Sequence, residues 1–160
     1  MDSTVPLPEP PEQPEPAEPT EAAGSRLLLV DLGGATYGLD ADQVREIVPL
    51  LPATRLPGAP RHVKGVVNLR GQLLTVCDLG ERLTGRSLQN PDGSTVVLQA
   101  GDRALGILVD DVHDVEWLAV TTAADATIAD AAGVVSGLGR LGDEVVLVID
   151  VPELVRQTLA

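Results

Sequence analysis

Few side chains in this sequence are of the kinds that carry covalent or metal chemistry. His62, His113 and Cys77 are its soft metal ligands, and they stand far apart, without the close pairing of a zinc site. No metal site is expected from them. Cys77 alternates with Val76 in an apolar run and reads as a small packing residue. A Cys–His nucleophilic pair stays open on residues alone, but it needs a third group to orient the base and has no local motif. Asp110, Asp111 and Asp114 form an acidic cluster. A calcium loop needs ligands at closer alternate positions and a glycine, so a solvated strand end is the simpler account. Ser25, Ser87, Ser94 and Ser136 lack the context of a nucleophile elbow. Gly137-Leu138-Gly139-Arg140-Leu141-Gly142 matches the dinucleotide fingerprint, yet strand-like residues 145–151 follow it where a helix is required. A glycine-rich turn is expected there. These residues offer no recognisable catalytic group and imply no cofactor.

The charge balance narrows the partners. The 160 residues carry a net charge of −13, which opposes binding to nucleic acid and to anionic lipid. Hydrophobic residues make up 44% and charged residues 22%, as in a soluble globular protein. Phe is absent, so the core must be aliphatic, and the abundance of Val leans towards strands. One cysteine allows no internal disulfide and fits a reducing compartment. No apolar run is long enough to span a bilayer, and no secretory signal is evident.

Residues 1–24 hold seven prolines, six acidic residues and no basic one. They are expected to form a disordered, acidic tail with polyproline character. Residues 25–160 then make the folded part. Residues 27–32, the pair Gly33-Gly34 and residues 36–39 read as a hairpin. Asp40 is a good N-cap for a helical turn, while residues 44–48 alternate like a strand, and the boundary between the two stays open. Four prolines between residues 49 and 60 mark an irregular loop. A short helix is expected at residues 81–83, a polar loop at 85–93, and a hairpin of residues 94–98 and 103–109 around Gly101-Asp102. Residues 114–120 read as extended, 123–132 as partly helical, 145–151 as a strand and the chain's end as a short helix.

A shift of 68 residues places Gly33, Gly38, Gly65 and Gly71 on Gly101, Gly106, Gly133 and Gly139. With four extra residues at the second central turn, Asp78 falls on Asp150. Two related β units are expected, roughly residues 25–90 and 91–160, each a small closed barrel sharing an apolar interface with the other. A groove between them is the natural binding place.

Residues 65–79 contain two apolar runs around Arg70-Gly71, the pattern of a tight hairpin in which Gly71 supplies a positive φ. Arg70 is either a solvated turn residue or a recognition residue. The sequence here resembles the CheW-like domain family of bacterial chemotaxis adaptors. The resemblance rests on four ordered stretches: Tyr37-Gly38-Leu39-Asp40 with residues 44–48; residues 56–60 with Val63-Lys64-Gly65-Val66-Val67-Asn68-Leu69-Arg70-Gly71; residues 105–112; and residues 137–150. It implies a mostly β fold of two SH3-like, five-stranded barrels with short helices. It implies a non-enzymatic cytoplasmic adaptor that couples methyl-accepting chemoreceptors to a histidine autokinase. It implies a receptor- and kinase-binding surface on Val44, Glu46, Ile47 and Arg70, with Gly71 as the structural turn. The chain departs from the family in its acidic tail, and in Thr75 and Cys77, where Pro and an aliphatic residue are common. A CheW-like scaffold in a surface-motility or other chemosensory pathway is the alternative. A small-ligand-binding barrel is a further one, disfavoured by the scarcity of basic and aromatic residues.

Overall fold

The computed structural model describes residues 24–88, 90–122 and 133–159. The expectations of a disordered tail and of helix at 123–132 lie outside these residues, except that Gly24 already begins the first strand.

Among the described residues, ten strands and two α-helices follow in order. Strands β1 (Gly24–Leu32) and β2 (Ala35–Asp40) form a hairpin closed by Gly33 and Gly34, both at positive φ. A 3-10 turn, Ala41–Gln43, is capped by the Asp40 side chain, and β3 (Val44–Pro49) starts straight after it. Both readings of this stretch are therefore realised in succession. Strands β4 (Val63–Leu69) and β5 (Gln72–Asp78) form the central hairpin, and α1 (Leu79–Thr84) follows. Strands β6 (Ser94–Ala100) and β7 (Arg103–Val109) form the third hairpin. Strand β8 (Asp111–Thr122) precedes the last hairpin, β9 (Val135–Leu141) and β10 (Glu144–Ile149), and α2 (Val151–Leu159) ends the described chain.

The strands make two five-stranded sheets. One closes into a barrel in the order β1-β2-β10-β9-β8, and the other has the order β3-β6-β7-β5-β4. Strands 1, 2, 8, 9 and 10 thus share one sheet, and the contiguous run β3 to β7 makes the other. A division near residue 90 separates the two sequence units but not the two sheets, because each sheet takes strands from both units. Two parallel pairings, β2 with β10 and β5 with β7, join strands of different units. Each unit thereby covers strand edges that the other would leave open.

The repeat is visible in the structure, with one correction. The hairpins β1–β2 and β6–β7 correspond, as do β4–β5 and β9–β10, each second hairpin leading into a helix. Gly65 and Gly137 are equivalent: a Cβ on Gly65 would lie 2.0 Å from Thr54 O, and one on Gly137 would lie 2.5 Å from Thr121 O. The four extra residues therefore fall before β9, not at the second central turn. Gly137 and Gly139 lie inside β9, and the turn is at Gly142, so the expected glycine-rich turn is mostly strand. Those glycines admit a neighbouring strand rather than bend the chain.

Among the described residues, three mainly aliphatic clusters form the core. Leu27, Leu29, Leu118, Val146 and Val148 pack inside the closed barrel. Val67, Leu74, Val76 and Val97 pack in the second sheet. The largest cluster joins the two, with Leu28, Val30 and Leu32 of β1 among residues such as Val96, Leu98 and Ile107 of the second sheet. Among the described residues no helix is long and apolar enough to cross a membrane.

Candidate functional site

The central hairpin is a two-residue loop, with Leu69 opposite Gln72. Arg70 has φ +51 and Gly71 has φ +87, so both central residues are left-handed, as a type I′ turn requires. The Gly71 amide donates to Asn68 Oδ1 at 2.8 Å, which secures the turn from within. Gly71 thus occupies its expected structural place, and Arg70 shares the positive φ. The first hairpin solves the same problem with Gly33 at φ +59 and Gly34 at φ +91.

Glu46 and Ile47 come from β3, at the opposite edge of the same sheet. The Arg70 guanidinium is ion-paired with the Glu46 carboxylate. That contact means the sheet curls until its two edges approach, and a side-chain pair bridges the seam. The loop after β3 helps fill it: Thr54 and Val66 exchange backbone hydrogen bonds of 2.8 and 2.9 Å. The pairing of β3 with β6 slips between Val44 and Glu46, so that Val44 lies opposite Leu98 and Glu46 opposite Val97. Such a bulge turns Val44 and Glu46 to opposite faces. Val44 is half-buried and packs against the largest core cluster. Ile47 is 44% exposed. The structure therefore brings Arg70 and Glu46 together across the seam, while Ile47, opposite Val96, is exposed on the edge strand β3 but turned to the face on which Val44 lies.

Leu73 is missing from the sequence-derived set, although it is 75% exposed and lies two residues past the turn glycine Gly71. A signal for it existed: Leu73 and Leu74 are adjacent in a strand, so only one can face inward, and Leu74 is the buried one.

Cys77 is buried in the largest cluster, and burial pushes its thiol up to about 12, which opposes thiolate formation. His113 Nε2 lies 2.9 Å from Asp31 Oδ2, and that hydrogen bond raises the imidazole above its ordinary pKa. Asp31, Asp111 and His113 bring ligand atoms within 4.8 Å of one another. The sequence hid this convergence, because Asp31 lies on β1 and the other two on β8. Asp110 accepts from the Gly33 amide at 2.9 Å and so ties the third hairpin's end to the first turn. His62 is held below its ordinary pKa by burial and by the nearby Arg82. Glu81 is buried and held below the usual carboxylate range by its hydrogen bond from Lys64, at 2.5 Å.

The hairpin thus holds an exposed cation at a fixed turn, paired with a carboxylate of β3, and Ile47 on β3 and Leu73 on β5 are exposed hydrophobic residues of the same sheet. The CheW-like domain family model matches residues 26–159. The chain is 33% identical to the chemotaxis protein CheW of Klebsiella aerogenes over 138 residues, covering 84% of this chain and 83% of that protein. It is 29% identical to the chemotaxis protein CheW of Treponema pallidum, covering 81% of each. The protein PilI of Pseudomonas aeruginosa is 33% identical over 92 residues, covering 57% of this chain and 52% of PilI. The crystal structure of the scaffolding protein TtCheW from Thermoanaerobacter tengcongensis is similar with a TM-score of 0.70 at 27% identity, covering 78% of this chain and 88% of that one. From its motifs, its paired five-stranded sheets and these relatives, the chain belongs to the CheW-like domain family.

Proposed function

We propose that this chain is a chemotaxis-type signalling adaptor, without catalysis of its own, that couples methyl-accepting receptors to a histidine autokinase. It would work in the cytoplasm, at the inner face of the membrane where those receptors end. The observation that carries this reading is the family match over residues 26–159. The proposed contact surface is Arg70, Glu46 and Ile47, extended by Leu73 and supported by Val44. A second reading, the same scaffold in another chemosensory pathway, is supported by the likeness to PilI.

The backbone of Arg70 favours a recognition role. A non-glycine residue at left-handed φ costs roughly 1–2 kcal/mol. The corresponding position of the second repeat carries Gly142 at φ +63, and the first hairpin uses glycine twice. An arginine held in such a slot is a structural expense that a binding role explains. Its pairing with Glu46 offsets little, since exposed ion pairs contribute only about 0.2–1 kcal/mol.

Arg70→Glu, titrated against a receptor's cytoplasmic tip and against the kinase, tests the assignment. A desolvated interface arginine is worth on the order of 2 kcal/mol, so affinity for at least one partner should fall about 30-fold. Unchanged affinity for both, together with lost stability in a denaturant melt, would make Arg70 a turn residue only.

A further inference from the structure

One rim of the closed barrel gathers polar side chains that the Arg70 surface does not use. It is the end where β1 runs into β2 and β9 into β10. Strand β8 begins there, with Asp111 directly opposite Asp31 of β1. The β1–β8 ladder then slips: Val30 faces Val112 and Leu28 faces Val115, so β8 advances three residues where β1 advances two. The bulge falls at His113 and Asp114, and a bulge re-aims the side chains it carries. His113 Nε2 comes to 2.9 Å from Asp31 Oδ2, and ligand atoms of Asp31, Asp111 and His113 lie within 4.8 Å of one another.

A zinc-type cation binds imidazole nitrogen and carboxylate oxygen at about 2.0–2.2 Å, so neighbouring ligand atoms stand about 2.9–3.4 Å apart and opposite ones about 4.2 Å apart. The His113–Asp31 separation already falls in the first range. Asp111 is exposed, and a rotation of its side chain covers what remains. A cavity of about 350 Å³ opens at the same rim, with Leu29 and Leu141 on its apolar side and Asp114, Glu116 and Glu144 among its other walls. Among the described residues no Lys or Arg lines it, and His113 is the one lining group able to carry positive charge. Asp110 and Asp143 adjoin this rim in the chain and are acidic as well. Arg140 precedes Leu141 in β9, opposite Val145, and so points to the other face of the strand. Thr36 Oγ1 lies 2.8 Å from Glu144 Oε2 and 3.3 Å from Asp31 Oδ1. A hydroxyl has one proton, so it serves one carboxylate and turns a lone pair to the other. A cation held at Asp31 relieves that conflict. Imidazole beside carboxylate suits zinc and its first-row neighbours, whereas calcium and magnesium take oxygen ligands.

We propose that this rim binds a first-row divalent cation of the zinc type on His113 Nε2 and the carboxylates of Asp31 and Asp111, with water completing the coordination. Thr36 is a positioning residue: its hydroxyl orients the Asp31 carboxylate without touching the metal. The cation ties β8 to β1 where their ladder slips. In metal-free buffer the hydrogen bond between His113 and Asp31 stands in its place.

Calorimetric titration of the metal-free full chain with zinc chloride tests this, at about 0.15 M salt, where exposed charges are screened beyond ~8 Å. Zinc should bind one to one at this site, and at saturation the imidazole proton signals of His113 should shift while those of His62 stay. Thr36→Val should weaken binding about 10–100-fold and Thr36→Ser should restore it. His113→Gln, Asp31→Asn and Asp111→Asn should each weaken it further than Thr36→Val does, whereas His62→Gln should leave it unchanged. The His113 side chain is 45% exposed and Asp111 is exposed, so these variants keep the core intact, which circular dichroism of each metal-free variant checks. No uptake of zinc, unmoved His113 signals at saturation, or a His113→Gln chain that binds zinc as tightly as the parent would overturn the proposal. Calcium chloride displacing zinc at equal concentration would overturn it as well, and would assign the rim to diffuse attraction of counterions.

Discussion

Arg70 at φ +51 gives the first test at the level of single residues. Arg70→Gly relieves roughly 1–2 kcal/mol of backbone cost. It gives back about 0.4–1 kcal/mol through the freer unfolded chain, and about 0.2–1 kcal/mol through the lost pair with Glu46. Stability should therefore move by no more than about 1.5 kcal/mol while partner affinity falls; a loss well beyond that in a urea melt would contradict this balance. The chain's two histidines give a second test. His113 is raised by its hydrogen bond to Asp31, and His62 is lowered by burial. Proton NMR should find His113 titrating above about 6.5 and His62 below it. Because the folded pKa of His113 exceeds the unfolded one, its contact stabilises fully below about pH 6.5 and is lost as pH rises through the folded pKa. The melting-temperature gap between the parent and His113→Gln should close with rising pH, and a widening gap would reverse the assignment. Gly71 was legible in sequence because a hairpin turn is local chemistry. Glu46 and Arg70 entered there only as members of one implied surface, since the two lie on opposite edges of a sheet whose strand order no local pattern encodes.

The two helices follow equivalent hairpins and start on equivalent caps. The Asp78 side chain accepts from the Glu81 amide and the Asp150 side chain from the Glu153 amide, each at 3.0 Å. The caps differ in load, because Asp78 is buried and also accepts from Leu88. Removing an N-cap costs about 0.5–2 kcal/mol. Asp78→Ala should cost more than Asp150→Ala, since it also leaves the Leu88 amide without that acceptor. Paired urea melts decide it, and an equal or smaller loss at position 78 would refute the difference. Hairpins were the elements most legible in sequence, because glycine turns and apolar runs are short-range signals. Strand β9 was misread for a physical reason: Gly137 is there to admit the Thr121 carbonyl of β8, a tertiary cause that looks like a turn in one dimension.

For the whole molecule, the duplication was legible but the sharing of strands was not. The parallel pairing of Tyr37 with Leu147 joins residues more than a hundred positions apart. Fragments cut at the repeat boundary, residues 25–86 and 94–160, each lose partners from both sheets. Neither should unfold cooperatively alone, and mixing them should restore a folded transition in circular dichroism. A sharp transition in either fragment alone would mean that a unit is autonomous. The same strand order sets a schedule on the ribosome. The second sheet, Val44–Val109, is continuous in the chain and is fully translated before β8 exists. The β1–β2 hairpin is made first, yet its neighbours β8 and β10 come last. At 5–20 residues per second, the forty residues from Asp110 to Ile149 take about 2–8 s. The earliest-made strands are thus the last to be enclosed, and for those seconds their open edges depend on the pace of translation rather than on the speed of folding.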